Sequence, residues 1–389
     1  MGAFIYIRRA KDYNRPMNEK TKNKIRFRDL GSVRLIICAL SAAVIIVGYV
    51  LRAGDGKGME RVYYGFSRPY HIFMAKLCAH LPFSAAELFY ALAVGFVLIY
   101  IIVQTVRVIK RPQKEKRVYI TILTLGMICL LFWAAYSYLW TPYYYAPTFA
   151  EQSGIDDGPV SEKELRAVTE YFAKKADEYA SKVNRNENGL FAADRNDILD
   201  RAAKVYENAS EKWSFLDGAA LRPKGIICSK VMSLTDFTGF FFPLTGETNV
   251  NMDSPAVMLP YTAEHEISHQ RGIGEEQECN FIAAAACMDS GDADFEYSGA
   301  LSAYIYLGNA LYEADEDAWQ EVKDTLSAPV LADIENNDAY WDAYRESFVN
   351  KVSSSAYESF LQGNGQTLGL ESYGACVDLL VHYYYPMIK

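Results

Sequence analysis

Three long apolar runs in the first third of the chain set the terms of its fold. They cover residues 33–51 (VRLIICALSAAVIIVGYVL), 85–108 (AAELFYALAVGFVLIYIIVQTVRV) and 118–140 (VYITILTLGMICLLFWAAYSYLW). A helix needs about 20 mostly apolar residues to cross a bilayer, and each run is near or above that length. Basic residues flank them. Nine Lys/Arg precede Ser32, and the link RVIKRPQKEKR between the second and third runs holds six. The excess of Lys/Arg on the cytoplasmic side of membrane proteins places both segments there. Three crossings then carry everything after Trp140 out of the cytoplasm. The longer link at 52–83 holds five Lys/Arg, and its segment YHIFMAKLCAHLPF reads as amphipathic, lying at the membrane surface with His71 and His80 interfacial.

Charge separates the two parts. Residues 1–140 carry a net +14 and residues 141–389 a net −23, within an overall −9. So acidic an outer part excludes nucleic acid as a partner, since phosphate calls for a basic face. The expected organisation is a basic tail (1–32), a membrane domain in the lipid bilayer (33–140), a linker (141–160) and an extracytoplasmic domain (161–389). None of the seven cysteines forms a CxxC pair, which argues against a cysteine-based zinc site.

The outer domain reads as mainly α with a small β element. SEKE at 161–164 fits a capping box that opens a helix at Ser161. A second helix is expected over 194–212. Helical patterns follow at 256–271, 275–289, 295–314, 316–327, 338–361 and 371–385. GFFFPLTGETNVN (239–251) instead suggests two short strands or a hairpin about Thr245-Gly246, with Pro243 confining any strand there to an edge.

The chemistry is concentrated in HEISHQRGIGEEQECN, residues 265–280. On a helix, residues four apart share a face, so His265 and His269 present two imidazoles to one point. Glu266, one position round, can face a water at the metal without binding the metal itself. That is the physical content of HExxH: two zinc ligands and a general base. A catalytic zinc has three protein ligands and one open position, so one ligand is missing. Glu275 stands where the metzincin pattern HExxHxxGxxH has its last histidine, with Gly272 at that pattern's glycine, but no Met-turn follows. Glu276 and Asn280 would share one face of a following helix, Glu276 as ligand and Asn280 accepting a hydrogen bond from a ligand histidine. Glu278 faces elsewhere and reads as a solvated helix residue. Gly272 and Gly274 offer the backbone freedom for the tight turn between the helices.

HExxH followed by E-x-x-x-N resembles the gluzincin, thermolysin-like clan. More closely, FPLTGETNVN, LPYTAEHEISHQRGIGEEQECNFIAAAAC, FEYSGALSAYIYL and GLESYGACVDLLVHYY resemble an uncharacterised family of bacterial membrane-anchored HExxH proteins, the domain-of-unknown-function 3810 family. The resemblance spans most of the chain, spans included. It implies a zincin fold with one Zn2+ on His265, His269 and Glu276, and Glu266 as base. It implies no substrate. Asn280 stands where the thermolysin pattern has aspartate. By analogy with that clan, Glu247, Thr248, Asn249, Val250 and Asn251 are expected to form an edge strand that binds extended substrate by β-addition. Tyr373 and His382 are candidates for the donor to the oxyanion, with Tyr297 a third. The expected activity is hydrolysis of a peptide or protein substrate by a membrane-anchored zinc peptidase. The alternative is a non-catalytic sensor or scaffold with a structural or vestigial zinc.

Overall fold

The computed structural model describes residues 19–218, 221–345, 347–363 and 373–389, with the side chains of 19–30, 363 and 373 outside the description. Most of the basic tail therefore lies outside the described side chains. The chain opens with α1 (Glu19–Arg52), α2 (Lys57–Val62), α3 (Arg68–Ala79), α4 (Ala85–Lys110) and α5 (Lys114–Leu139). Among the described residues, three helical stretches are long and apolar enough to cross a membrane: Gly31–Arg52, Ala85–Lys110 and Lys114–Tyr145. At most 11% of the apolar window of each is buried within the protein, as a surface facing lipid requires.

The chain divides into two compact units. The first comprises the residues up to Leu51 together with Ala93–Ser137. In it, Arg34 Nε donates to Thr124 Oγ1 at 2.8 Å, which gives the one charge in the first apolar run a partner.

The second unit comprises Arg52–Leu92 and Tyr138–Lys389. It takes in the 52–83 link, the first turns of α4 and the segment expected to be a linker. That segment is structured because its backbone donors are satisfied locally. Thr141–Tyr145 forms a 3-10 turn, and α6 (Phe149–Ser153) is closed by a reciprocal cap between Thr148 and Glu151. The remaining elements are α7 (Glu162–Ala180), α8 (Arg195–Lys212), β1 (Lys224–Ile226), α9 (Ser229–Leu234), β2 (Gly239–Phe242), β3 (Glu247–Asn251), α10 (Leu259–Arg271), α11 (Glu276–Met288), α12 (Ala293–Ala314), α13 (Glu316–Lys323), α14 (Ala328–Arg345), α15 (Phe348–Gly363) and α16 (Tyr373–Ile388). Ser161 and Glu164 make the capping box of α7, and Asp194 accepts the N–H of Asp197 to start α8. The single helix expected over 338–361 is two. Ser347 Oγ accepts the N–H of Asn350, a new N-cap that restarts the chain as α15.

Helices α10, α11 and α12 pack on one another, with α7 against α12. Small residues allow the close approach. Ala283–Ala286 are buried, and a Cβ on Gly299 would fall 2.4 Å from that of Cys287. Phe149, Trp213 and Phe281 form a ring cluster at 5.0–6.0 Å that seats the start of α6 in this core.

The sheet has the order β1-β3-β2, with β3 parallel to β1 and antiparallel to β2. The hairpin turns at residues 243–246, where Gly246 takes φ 65°, and Pro243 falls in the turn. Glu247–Asn251 is therefore the central strand, not an edge available to substrate. Its polar side chains are committed inside the protein. Glu247 accepts the N–H groups of Ala85 and Ala86 at the start of α4. Asn249 Oδ1 accepts from Ser84, and the Asn251 amide donates to Ser233 Oγ and the Phe237 carbonyl. Thr248 and Val250 are buried. The edge strand on the hairpin side is β2.

Asp333 ties α14 to the core. Its carboxylate accepts from Arg185 at 2.8 Å, the Phe191 N–H at 2.9 Å and the Tyr297 hydroxyl at 2.6 Å, and it is 1% exposed. Asp333→Ala strips the Phe191 N–H and the Tyr297 hydroxyl of their acceptor, leaves Arg185 Nη1 only the Gly189 carbonyl, and is expected to cost about 3–5 kcal/mol. For a domain of this size that lowers the thermal unfolding midpoint by about 10 °C. A drop of under about 3 °C would show that Asp333 carries no such weight.

Candidate metal centre

Helix α10 places the first two ligand candidates. Pro260 fits its first turn, where no N–H partner is needed. Tyr206 OH donates to Ser268 Oγ at 3.2 Å, and Gln270 Nε2 donates to the Gly246 carbonyl at 2.7 Å, so the helix cannot rotate freely against α8 and the hairpin. Gly272 ends it with φ 112°, and a Cβ there would sit 2.0 Å from the Tyr63 hydroxyl. Gly274 has no positive φ. Its role is space, since a Cβ would come within 3.0 Å of the Tyr143 carbonyl.

This turn brings Glu276, the first residue of α11, back over the histidines. Glu276 Oε2 lies 3.2 Å from His265 Nε2 and 3.5 Å from His269 Nε2. One ligand atom from each of the three residues falls within 4.8 Å of the others. Ligand bonds of about 2.05 Å at the tetrahedral angle put neighbouring ligand atoms about 3.4 Å apart, and the two separations bracket that value. Two imidazole nitrogens and one carboxylate oxygen are a donor set suited to zinc. Burial alone would raise the Glu276 carboxyl, but the two imidazoles facing it hold it well below the usual range. Glu275 is the extended residue before α11 and is not part of this group.

Glu266 is 4% exposed, and its Oε2 has no hydrogen-bond partner among the described residues. Burial pushes its carboxyl up to about 7, against the pull of His265 and His269. A group poised there suits proton transfer near neutral pH. Gly239 of β2 lies directly against it. A Cβ at that position would stand 2.5 Å from Oε1 and 2.7 Å from Cγ. Gly239→Ala is therefore expected to displace Glu266 without touching His265, His269 or Glu276. The variant should leave the zinc affinity of the cluster unchanged and slow by at least about tenfold any reaction for which Glu266 is the base. An unchanged rate would mean that the position of Glu266 does not matter.

The structure also supplies a residue the sequence did not mark. Tyr357 of α15 donates to Glu276 Oε1 at 2.8 Å, on the opposite oxygen from the histidines. Phe237 packs edge-on to its ring at 5.2 Å. Burial, then the charge of Glu276, raises its hydroxyl well above 10, so it stays a donor. Trp140 packs edge-on to His269 at 5.7 Å. Nothing local distinguishes Tyr357 among 29 tyrosines.

Other expected residues lie elsewhere. Asn280 Oδ1 accepts from Tyr261 at 3.0 Å, while His269 Nδ1 meets the Ile273 carbonyl at 2.9 Å. The reason is register. On α10, Tyr261 precedes His265 by one turn, and the turn of α11 after Glu276 falls opposite Tyr261 rather than a histidine. His382 Nε2 bonds the Gly158 carbonyl at 2.9 Å, because α16 packs along α7 and α11 and turns His382 to the start of α7. Tyr297 is committed to Asp333. Tyr373 opens α16, and its side chain lies outside the described residues. Glu278 is not solvated: it is buried and accepts the Ala150 N–H at 3.1 Å, capping α6. His71, expected at an interface, is 1% exposed, with Nδ1 2.6 Å from the Tyr143 hydroxyl.

No curated protein and no solved structure matches this chain. A family model described as "Protein of unknown function (DUF3810)" matches residues 61–381, a stretch that takes in two of the apolar spans, the sheet and the whole His265–His269–Glu276 cluster. The chain belongs to that family.

Proposed function

We propose that this protein is a membrane-anchored zinc peptidase whose catalytic domain lies outside the cytoplasm. The observation that carries the proposal is the convergence of His265, His269 and Glu276 at near-tetrahedral separations beside a buried, unpartnered Glu266. The basic flanks of the spans carry the orientation. Zinc held by the three ligands would supply a Lewis acid and lower the pKa of a water it binds to about 7. Glu266 is placed to take a proton from the attacking water and to return it to the departing amine nitrogen as the C–N bond breaks. The substrate backbone pairs in extended form with the outer edge of β2, which ends the sheet, in place of the central Glu247–Asn251 strand. Tyr357 brings a hydroxyl into direct contact with the ligand candidate Glu276. By turning from Glu276 Oε1 to the substrate carbonyl oxygen it would act as the donor expected of Tyr373 or His382.

A second reading takes Tyr357 as a plug over a structural zinc in a sensor or scaffold. The same hydrogen bond to Glu276 favours it. Tyr357→Phe separates the two. In the peptidase, hydrolysis of a mixed peptide library falls by about 100-fold with zinc retained, the scale of losing one oxyanion donor. In the scaffold, wild type and variant are equally inert. Zinc depletion must also abolish the wild-type activity and zinc return must restore it. Activity that survives depletion would overturn the proposal.

A further inference from the structure

The ends of the apolar helices bear directly on the metal centre, all within the second unit. Residues 88–106 of α4 carry no charge, so the hydrocarbon boundary falls near Leu88. Glu87, one residue before it, accepts the N–H groups of Ile227 and Cys228 at 3.1 and 2.7 Å. Tyr90, inside that boundary, packs against Phe240 and Phe242 of β2 at 6.1 and 5.0 Å. The third apolar helix ends near Trp140, and its last turn is seated in the second unit, with Leu139, Trp140 and Tyr143 all buried. Trp140 is the residue packed on His269.

Apolar side chains are exposed in the turn held by Glu87 and at the start of α15. Ile227 is 82% exposed and Phe348, at the start of α15, 81%. Val231 and Val352 are exposed as well, and α15 is joined to the end of α9 by Ser353 donating to the Thr235 carbonyl. An apolar surface that continues from the turn held by Glu87 suits contact with lipid.

Resting on the peptidase reading above, we infer that the substrate is the juxtamembrane segment of a membrane-anchored polypeptide, cut where it leaves the bilayer. The edge strand β2 lies on Tyr90 and the ligand His269 lies on Trp140. Both the strand that would hold the substrate and a histidine that would hold the ion thus touch residues at the outer ends of apolar helices. The headgroup layer is roughly 5–8 Å deep on each face and an extended chain advances about 3.3 Å per residue, so the first roughly six residues outside the hydrocarbon cover that layer with margin, and the scissile bond falls among them.

The test uses the full chain in liposomes, together with single-span reporters. Each reporter carries a randomised outer segment of about 30 residues, long enough to extend roughly 100 Å. Unanchored peptides of the same randomised composition are digested in parallel, and cut positions are mapped by mass spectrometry with Glu266→Gln as background. The expected result is about tenfold more cuts in the first roughly six residues outside the span than in an equal length further out. The unanchored peptides should be cut slowly. Cuts spread evenly along the segment, or free peptides cut as fast as anchored ones, would overturn the substrate assignment and leave the peptidase standing. No cuts above background in either pool would overturn the peptidase, and this inference with it.

Discussion

Glu266→Gln is expected to reduce hydrolysis by about 10³- to 10⁴-fold while one zinc per chain remains bound, the upper range for loss of a general base. Glutamine has nearly the same shape, so the packing against Gly239 and the helix around it persist. What disappears is the proton acceptor. Glu266 is not among the converging ligand atoms, so the metal has no reason to leave. A structural zinc does not need a base, so in a scaffold the substitution would change nothing measurable. Zinc content by elemental analysis and the rate on a peptide library, taken on the same preparation, test both halves. Equal hydrolysis by variant and wild type would sink the mechanism.

Glu276→Gln is expected to have the second large effect, on the metal. Glu276 supplies the only carboxylate in the cluster, and its Oε2 faces both imidazoles. An amide there removes the charge that draws a cation to two neutral histidines. Loss of even an outer partner costs a zinc site about 10–100-fold in affinity, and loss of a ligand should exceed that. Glu275→Gln is the matched control. Its residue stands in extended backbone before α11, outside the cluster, so zinc should stay. Competition with a chromophoric chelator measures both. A reversed order, with Glu275→Gln losing the metal, would restore the metzincin-like arrangement and contradict the one described.

What the sequence disclosed, and what it did not, divides along a physical line. Features set by spacing within a few turns were legible. The three apolar runs, the Ser161 capping box, the Asp194 helix start, the hairpin and the shared face of His265 and His269 all follow from local periodicity and capping. Glu276 was reachable too, because a short glycine turn leaves the next helix few ways to return. Features set by packing between distant segments were not. Whether Glu247–Asn251 is central depends on Lys224–Ile226, a three-residue strand too short to announce itself. Asn280 missed its histidine by one helical turn, a register that no spacing rule fixes. Tyr357 lies 81 positions beyond Glu276 and reaches it only because α15 crosses the site. Glu278 looked solvated in sequence, and its burial is decided by α6, on the far side of the chain. Trp140 was legible as the end of a span, whereas its packing on His269 was not.

The central claim is a zinc with three protein ligands and one open position. A crystal of the full chain grown with zinc, with data collected on both sides of the zinc absorption edge, tests it most directly. One anomalous peak is expected about 2.0–2.2 Å from His265 Nε2, His269 Nε2 and a Glu276 oxygen, with no fourth protein ligand and the remaining position facing Glu266. A peak bound by Glu275, a fourth protein ligand closing the site, or no peak at the cluster would contradict it.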